Sequence, residues 1–184
     1  KSLAIAELEV NGEYRESVHD VLFEGFGANG LDAAEIAQLP DYLVCLMDKD
    51  LEAGGVEQLT KTLASGLPFK ILFQTDDVIE YSEVTKGRTI LNLRARQLMN
   101  TAIGLTDVFV FQSSAAQILR KQESLLRGLT YDGPAFFSVF SGVNEHTSAF
   151  PAYLAASAAT ESRIFPSLVY DPSAGPDWAD RLCL

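Results

Sequence analysis

Residues Tyr42–Tyr81 read YLVCLMDKDLEAGGVEQLTKTLASGLPFKILFQTDDVIEY. Two apolar runs of strand length, Tyr42–Met47 and Phe69–Phe73, lie on either side of a segment whose apolar residues recur at helical spacing. A continuous apolar run is typical of a strand that is covered on both faces of its sheet. The stretch therefore predicts a strand–helix–strand unit, with the helix at Gly55–Ser65 and its end at Gly66.

Both apolar runs end in acidic residues. Asp48 and Asp50 follow the first run, and Asp76, Asp77 and Glu80 follow the second. Because parallel strands end at one edge of a sheet, where ligands of open α/β sheets bind, these side chains are expected to share that edge. Carboxylate oxygens suit Mg²⁺, which also takes phosphate oxygens as ligands. The pattern is compatible with a magnesium–diphosphate site, but solvated loop residues or helix N-caps are the simpler interpretation.

The rest of the chain alternates between predicted helices and strands. Residues 74–90 are predicted as a long polar loop. The elements after it are a helix from Leu91, a strand at Asp107–Gln112, a helix over 115–129, a strand over 135–140, a helix around Pro151–Ser162 and a strand over 167–170. This alternation predicts an α/β class: one doubly wound, mostly parallel sheet with helices on both faces.

The first 40 residues fit this pattern less well. Residues 2–10 are compatible with a strand or a helix, and a short helix is predicted at Ala33–Leu39, before Pro40. We therefore interpret residues 1–40 as an N-terminal extension or lead-in and residues 41–184 as the α/β domain. Neither Lys1 nor Leu184 resembles a natural terminus, so the chain is interpreted as part of a larger protein.

Charge and cysteine content restrict the function classes. The 184 residues include 25 acidic and 14 basic ones, a net charge of −11, which argues against nucleic-acid and membrane-surface partners. No apolar run approaches the roughly 20 residues of a membrane span. Cys45 is predicted to be a small buried residue, and it forms no Cys-x-x-Cys motif with Cys183, so no iron–sulfur cluster is expected in this segment. The two cysteines favour a reducing, cytoplasmic compartment.

Signals for nucleophilic catalysis are weak in this sequence. His146 follows Glu145, but no partner nucleophile is identifiable, and an exposed loop histidine is the simpler interpretation. The chain has no Gly-x-Ser-x-Gly elbow and no Walker loop. No catalytic residue is therefore assigned.

Several segments follow one another in the order of a known family. They are Gly54–Tyr81 with its Leu-Ala-Ser-Gly helix end, the strand Asp107–Gln112, the turn Tyr131–Ala135, Ser141, and the tail from Glu161 through Tyr170-Asp171-Pro172. In this order the chain resembles, over roughly residues 40–184, the thiamine-diphosphate-binding domain of pyruvate:ferredoxin oxidoreductase and related 2-oxoacid oxidoreductases. The resemblance implies a thiamine-diphosphate-binding-like fold and a cofactor set of Asp48, Asp50, Thr75, Asp76 and Glu80.

The sequence departs from this family at the cofactor motifs. Met47-Asp48-Lys49 stands where the family has Gly-Asp-Gly, and Glu80 stands in place of an asparagine ligand. The resemblance implies Asp48 and Glu80 as ligands of Mg²⁺, but the glycines that let the backbone approach a diphosphate are missing. A degenerate cofactor site is therefore expected.

Two functions follow from the resemblance. The first is a structural or interaction module of a larger 2-oxoacid:ferredoxin oxidoreductase-like protein, in which the fold is kept without the cofactor. The alternative is an active domain that binds thiamine diphosphate and Mg²⁺ for oxidative decarboxylation of a 2-oxoacid such as pyruvate. Both imply association with other domains of the parent chain and a homo-oligomer.

Overall fold

A computed structural model gives the architecture of the chain. It describes residues 2–24, 42–48, 51, 54–76, 79–81, 89–91, 93–143 and 150–184. Two compact units are separated by their contacts, Lys1–Leu39 and Pro40–Leu184. No helix in these described ranges is long and apolar enough to cross a membrane.

The described residues of the smaller unit form two helices, α1 (Ser2–Val10) and α2 (Glu16–Glu24). Residues 2–10 are thus helical rather than a strand, and the predicted helix at Ala33–Leu39 lies outside the described residues. At the start of α2 the backbone N–H of Arg15 donates to His19 Nδ1 over 2.8 Å. The Tyr14 hydroxyl donates to Asp20, and this hydrogen bond raises the pKa of Tyr14 to about 12.

The larger unit alternates strands and helices, as the sequence predicts. Its strands are β1 (Tyr42–Met47), β2 (Phe69–Thr75), β3 (Ile79–Tyr81), β4 (Thr89–Leu91), β5 (Phe109–Ser114), β6 (Ala135–Phe140), β7 (Leu168–Tyr170) and β8 (Leu182–Cys183). Its helices are α3 (Gly55–Leu63), α4 (Leu93–Gly104), α5 (Gln122–Leu129), α6 (Ala152–Glu161) and α7 (Trp178–Arg181). A 3-10 turn at Ile118–Lys121 precedes α5, so the helix predicted over 115–129 is shorter than expected.

Six strands form one mostly parallel sheet in the order β1-β2-β6-β5-β7-β8. The α/β class is thereby confirmed. The first four strands of this order are parallel, whereas β7 runs antiparallel to β5 and β8 antiparallel to β7.

The reversal of direction at β7 follows from the position of α6. Gly142, just after β6, lies against the start of α6, and Thr160 near its end bonds to Ser114 at the end of β5. Because both ends of α6 stay at the edge where β5 and β6 finish, β7 starts there and runs back.

Helices cover both faces of the sheet. On one face, here called the first face, α3 and α4 pack on apolar residues of β2 and β6 that include Phe73 and Phe136. On the opposite, second face α5 packs on Phe109 and Phe137. Since adjacent residues of a strand point to opposite faces, Phe136 and Phe137 anchor the two separate cores. The layer arrangement follows directly from this alternation.

The prediction of a long polar loop over residues 74–90 is wrong in part. Strands β3 and β4 pair antiparallel within it, with Ile79 opposite Leu91 and Tyr81 opposite Thr89. Val, Ile, Tyr and Thr residues favour extended backbone, and two such runs separated by a turn can form a hairpin. The mostly polar and charged residues in between, 82–88, conceal this pattern in the sequence.

Strand β1 differs from its predicted environment. It lies at the edge of the six-stranded sheet, and Leu43 and Val44 are 56% and 40% exposed. Cys45 is exposed as well, so its predicted burial is wrong. The apolar run predicted a strand that is covered on both faces of its sheet. Whether a strand lies in the centre or at the edge of a sheet depends on pairing with distant segments, which the periodicity of the run does not show.

Gly128 of α5 allows this helix to approach the sheet closely. A Cβ atom at this position would lie 2.5 Å from a ring carbon of Phe109 and 2.8 Å from one of Phe137. Both rings are buried, so they have little room to move. We expect Gly128→Ala to lower the free energy of unfolding by about 1–3 kcal/mol, despite the higher helix propensity of alanine.

Urea unfolding followed by circular dichroism measures this effect. Gly104→Ala is the matched control, because Gly104 ends α4 and a Cβ there would contact nothing within 4 Å. This control should change stability by at most about 1 kcal/mol, in the stabilising direction. A Gly128→Ala protein as stable as the wild type would contradict the close packing of α5.

Candidate functional site

The candidate site lies where β1, β2, β6 and β5 end, here called the carboxyl edge. Asp48 directly follows β1, Thr75 is the last residue of β2, and Asp76 follows it. Because Met47 pairs with Gln74, the next positions, Asp48 and Thr75, come from neighbouring strand ends. Thr75 is fully buried, whereas Asp48 and Asp76 are half-buried. The topology thus places these three predicted residues along one edge.

Asp76 connects the ends of β2 and β6. Its Oδ1 atom accepts hydrogen bonds from Gln74 Nε2 at 2.7 Å and from Ser141 Oγ at 2.8 Å. Ser141 adds a backbone bond from its N–H to the Thr75 carbonyl at 3.1 Å, and its Oγ accepts from the N–H of Val143 at 3.0 Å. We call this set of contacts the Asp76–Ser141 bridge. It holds the turn after β6 in a fixed position beside β2.

The side chains of the other predicted residues lie outside the described part of the chain. Asp50 and Asp77 lie outside the described residues, as do Glu145 and His146. The backbone of Glu80 belongs to β3, where it pairs with Ile90, but its side chain also lies outside the described part. No conclusion about these side chains follows from the geometry.

The described acidic side chains of the carboxyl edge are the candidate ligands for a magnesium diphosphate. Within the described ranges, no three His, Cys, Asp or Glu residues come close enough together to hold a metal ion. Asp76 already accepts two hydrogen bonds from protein donors at one carboxylate oxygen. Mg²⁺ on a diphosphate needs only one or two protein carboxylates. Of the two ligands that the resemblance implies, Asp48 lies at this edge, and the side chain of Glu80 lies outside the described residues.

A topological switch point lies within the carboxyl edge. The chain leaves β6 toward α6 on the first face and leaves β5 toward α5 on the second face. Connections that diverge in this way open a crevice between adjacent strands, which is the usual ligand position in open α/β sheets. Here Ala115 N–H donates to the Phe140 carbonyl at 2.8 Å, and the Ser114 and Thr160 hydroxyls lie 2.8 Å apart. Protein groups therefore already bond one another across the β5–β6 part of the edge.

Gly142 directs the chain from β6 into α6. Its φ of 79° lies in the left-handed region, and a Cβ there would lie 2.0 Å from the Ala152 carbonyl oxygen. Glycine is the residue that combines a positive φ with so close a backbone approach. The glycine of this turn thus permits the close contact with α6.

One buried hydroxyl of β6 lacks a hydrogen-bond partner among the described residues. Ser138, in the middle of β6, is fully buried, and its Oγ bonds to no group in the described part of the chain. Its neighbour on β5, Gln112, donates from Nε2 to the Pro166 carbonyl at 2.8 Å. A buried hydroxyl without a partner costs stability. Sequence reasoning could not find Ser138, because a serine within an apolar strand is ordinary.

A buried lysine lies at the start of β2, at the end of the sheet opposite the carboxyl edge. Lys70 of β2 is 1% exposed, and its Nζ donates to the carbonyls of Tyr131 and Gly133, the latter at 2.8 Å. Burial raises the pKa of the Tyr131 hydroxyl, with the charge of Asp107 as a further cause. The sequence signal for this buried lysine is its position inside the apolar run FKILF, which was not interpreted in this way.

The described contacts of the carboxyl edge join strand ends to each other and to α6. No protein-family model and no curated protein matches this chain.

Proposed function

We propose that this chain is a structural or interaction module of a 2-oxoacid:ferredoxin oxidoreductase-like protein, with a degenerate thiamine diphosphate site. The sequence resemblance supplies the family, and the mostly parallel α/β sheet is compatible with it. The proposal includes association with other domains of the parent chain and self-association.

The Asp76–Ser141 bridge is the observation that carries the proposal. A carboxylate expected to serve a cofactor instead accepts hydrogen bonds from Gln74 and Ser141. Ionised acceptors make hydrogen bonds roughly twice as strong as neutral ones, so the two bonds to Oδ1 fix the position of the Asp76 carboxylate. The residue is therefore better suited to holding two strand ends together than to exchanging ligands.

An active cofactor-binding domain is the second candidate. The observation in its favour is that Asp48, Thr75 and Asp76 share the carboxyl edge, close to the switch point. In that case the domain would hold thiamine diphosphate, and this cofactor would supply the carbanion chemistry. Residues of this chain would serve to bind and orient it, with Asp48 and Glu80 at the cation.

Calorimetric titration with thiamine diphosphate and Mg²⁺ separates the two candidates. For the degenerate site we expect no saturable heat from the wild-type protein, and the same result for Asp48→Ala. Saturable binding that is abolished by Asp48→Ala would overturn the proposal in favour of the active domain.

Asp76→Ala tests the structural role of the bridge directly. Loss of two hydrogen bonds to a charged acceptor should lower the free energy of unfolding by about 2 kcal/mol. Asp177→Ala is the control, because Asp177 is exposed and its side chain makes no capping hydrogen bond to α7, so a change within about 0.5 kcal/mol is expected. Equal stability of the Asp76→Ala and wild-type proteins in urea unfolding would show that the bridge does not hold the edge together.

A further inference from the structure

The outer edge of β1 offers backbone groups for a further strand. Within the described residues β1 pairs with β2 on one side, and no strand pairs with its other side. Its six residues, Tyr42–Met47, carry no charge. Edge strands are ordinarily protected by lysine, proline, a bulge or short length, and β1 has none of these devices. It is therefore open to strand addition.

Apolar side chains of β1 are exposed on both faces of the sheet. Tyr42 and Leu43, on opposite faces, are 52% and 56% exposed. On the first face Val44 and Leu46 also line an apolar groove of about 620 Å³ together with Leu59 of α3 and Phe69 and Ile71 of β2. An added strand would place alternate side chains into this groove and over the second face.

Charge selects among the possible occupants of this edge. Asp41 directly precedes β1 in the sequence and Asp48 directly follows it, and the whole chain carries a net charge of −11. Antiparallel pairing with a second copy would bring aspartates of the same sign together at both ends, which is unfavourable. A segment with basic residues at both ends would instead complement them.

We propose that β1 binds an extended segment of another protein, apolar over about six residues and flanked by Lys or Arg at both ends, by addition of a strand to the sheet. This inference shares Asp48 with the carboxyl edge, but it does not depend on the proposed function, because strand addition to β1 needs neither a cofactor nor the Asp76–Ser141 bridge.

The probe is a short fluorescent peptide with an apolar Val/Ile/Thr centre and two lysines at each end. Fluorescence anisotropy should show saturable binding that weakens as salt is added, because the flanking charges contribute. Two control peptides keep the length, one with glutamates in place of the lysines and one with N-methylated amides in the centre. Both should bind at least about tenfold more weakly, since they remove charge complementarity and backbone pairing respectively.

Variants of the protein locate the binding to β1. Val44→Lys should weaken binding at least about tenfold, because a charge on an edge strand prevents addition. Leu43→Lys is a second variant on the opposite face, so a folding defect in one of them does not decide the result. Leu119→Lys changes an 82% exposed residue after β5 and should leave the affinity unchanged.

Each outcome decides the proposal. Absence of saturable binding up to about 1 mM peptide, the weakest useful affinity, overturns it. Sedimentation that shows a dimer sensitive to Val44→Lys, without peptide binding, overturns it in favour of pairing between two copies. Peptide binding that is lost in Val44→Lys and kept in Leu119→Lys supports it, whatever the thiamine diphosphate titration shows.

Discussion

Gly142→Ala is expected to lower the free energy of unfolding by about 2–6 kcal/mol, the sum of a backbone strain of about 1–3 and an overpacking cost of about 1–3 kcal/mol. The strain arises because φ at this position is 79°, in the left-handed region. The overpacking arises because the new Cβ would lie 2.0 Å from the Ala152 carbonyl oxygen. This atom belongs to the backbone of α6, so a rotamer change cannot relieve the contact.

A second glycine separates the two causes. Gly66, which ends the turn after α3, has a φ of 72°, but a Cβ there would contact nothing within 4 Å. Gly66→Ala should therefore cost only the strain, about 1–2 kcal/mol. Urea unfolding monitored by circular dichroism measures both variants against the wild type. Equal losses in the two proteins would show that Gly142 is required for its φ alone and that α6 can move away.

The expected loss also has a structural consequence. Gly142 follows Ser141, which bonds to Asp76, and it precedes α6, whose Thr160 bonds to Ser114. Displacement of α6 would therefore disturb both the Asp76–Ser141 bridge and the end of β5. We expect the variant to lose order at the carboxyl edge before the packed centre of the sheet unfolds.

Most strands and helices of the larger unit were predictable because local patterns determine them, but the short elements β3, β4, α7 and β8 were not. The run at Tyr42–Met47 has strand length and β-favouring residues, and the structure places β1 there. Its exposure could not be predicted, because an apolar run reads alike in a central and in an edge strand. Position in the sheet is decided by pairing between distant segments, as in the parallel contact of β2 with β6.

The candidate site was predictable to a similar degree. Asp48, Thr75 and Asp76 share an edge because parallel strands end there, which the strand–helix–strand pattern already implied. The partner of Asp76 could not be foreseen, because Ser141 lies 65 residues away in the chain. The antiparallel direction of β7 was equally hidden, since it follows from the position of α6, whose Thr160 bonds to Ser114, 46 residues away in the chain. The local sequence thus identified the acidic residues, whereas contacts between distant segments determine the hydrogen bonds of Asp76.

Lys70→Met is expected to lower the free energy of unfolding by about 2–4 kcal/mol. Methionine keeps the length and the apolar character of the side chain but removes the ammonium group that donates to the Tyr131 and Gly133 carbonyls. Each buried acceptor left without its donor costs about 1–3 kcal/mol. These carbonyls belong to the turn that leads from α5 into β6, so the substitution also loosens the start of a central strand.

Lys61→Met is the matched control for the loss of a positive charge. Lys61 lies on α3 and is 67% exposed, and its Nζ forms an ion pair with Glu57 at 2.7 Å. An exposed pair of this spacing contributes about 0.3–0.5 kcal/mol, so Lys61→Met should be nearly neutral. Urea unfolding of both variants decides the question. A small effect at both positions would show that water replaces the ammonium at the turn and that the buried lysine is not what holds α5 to β6.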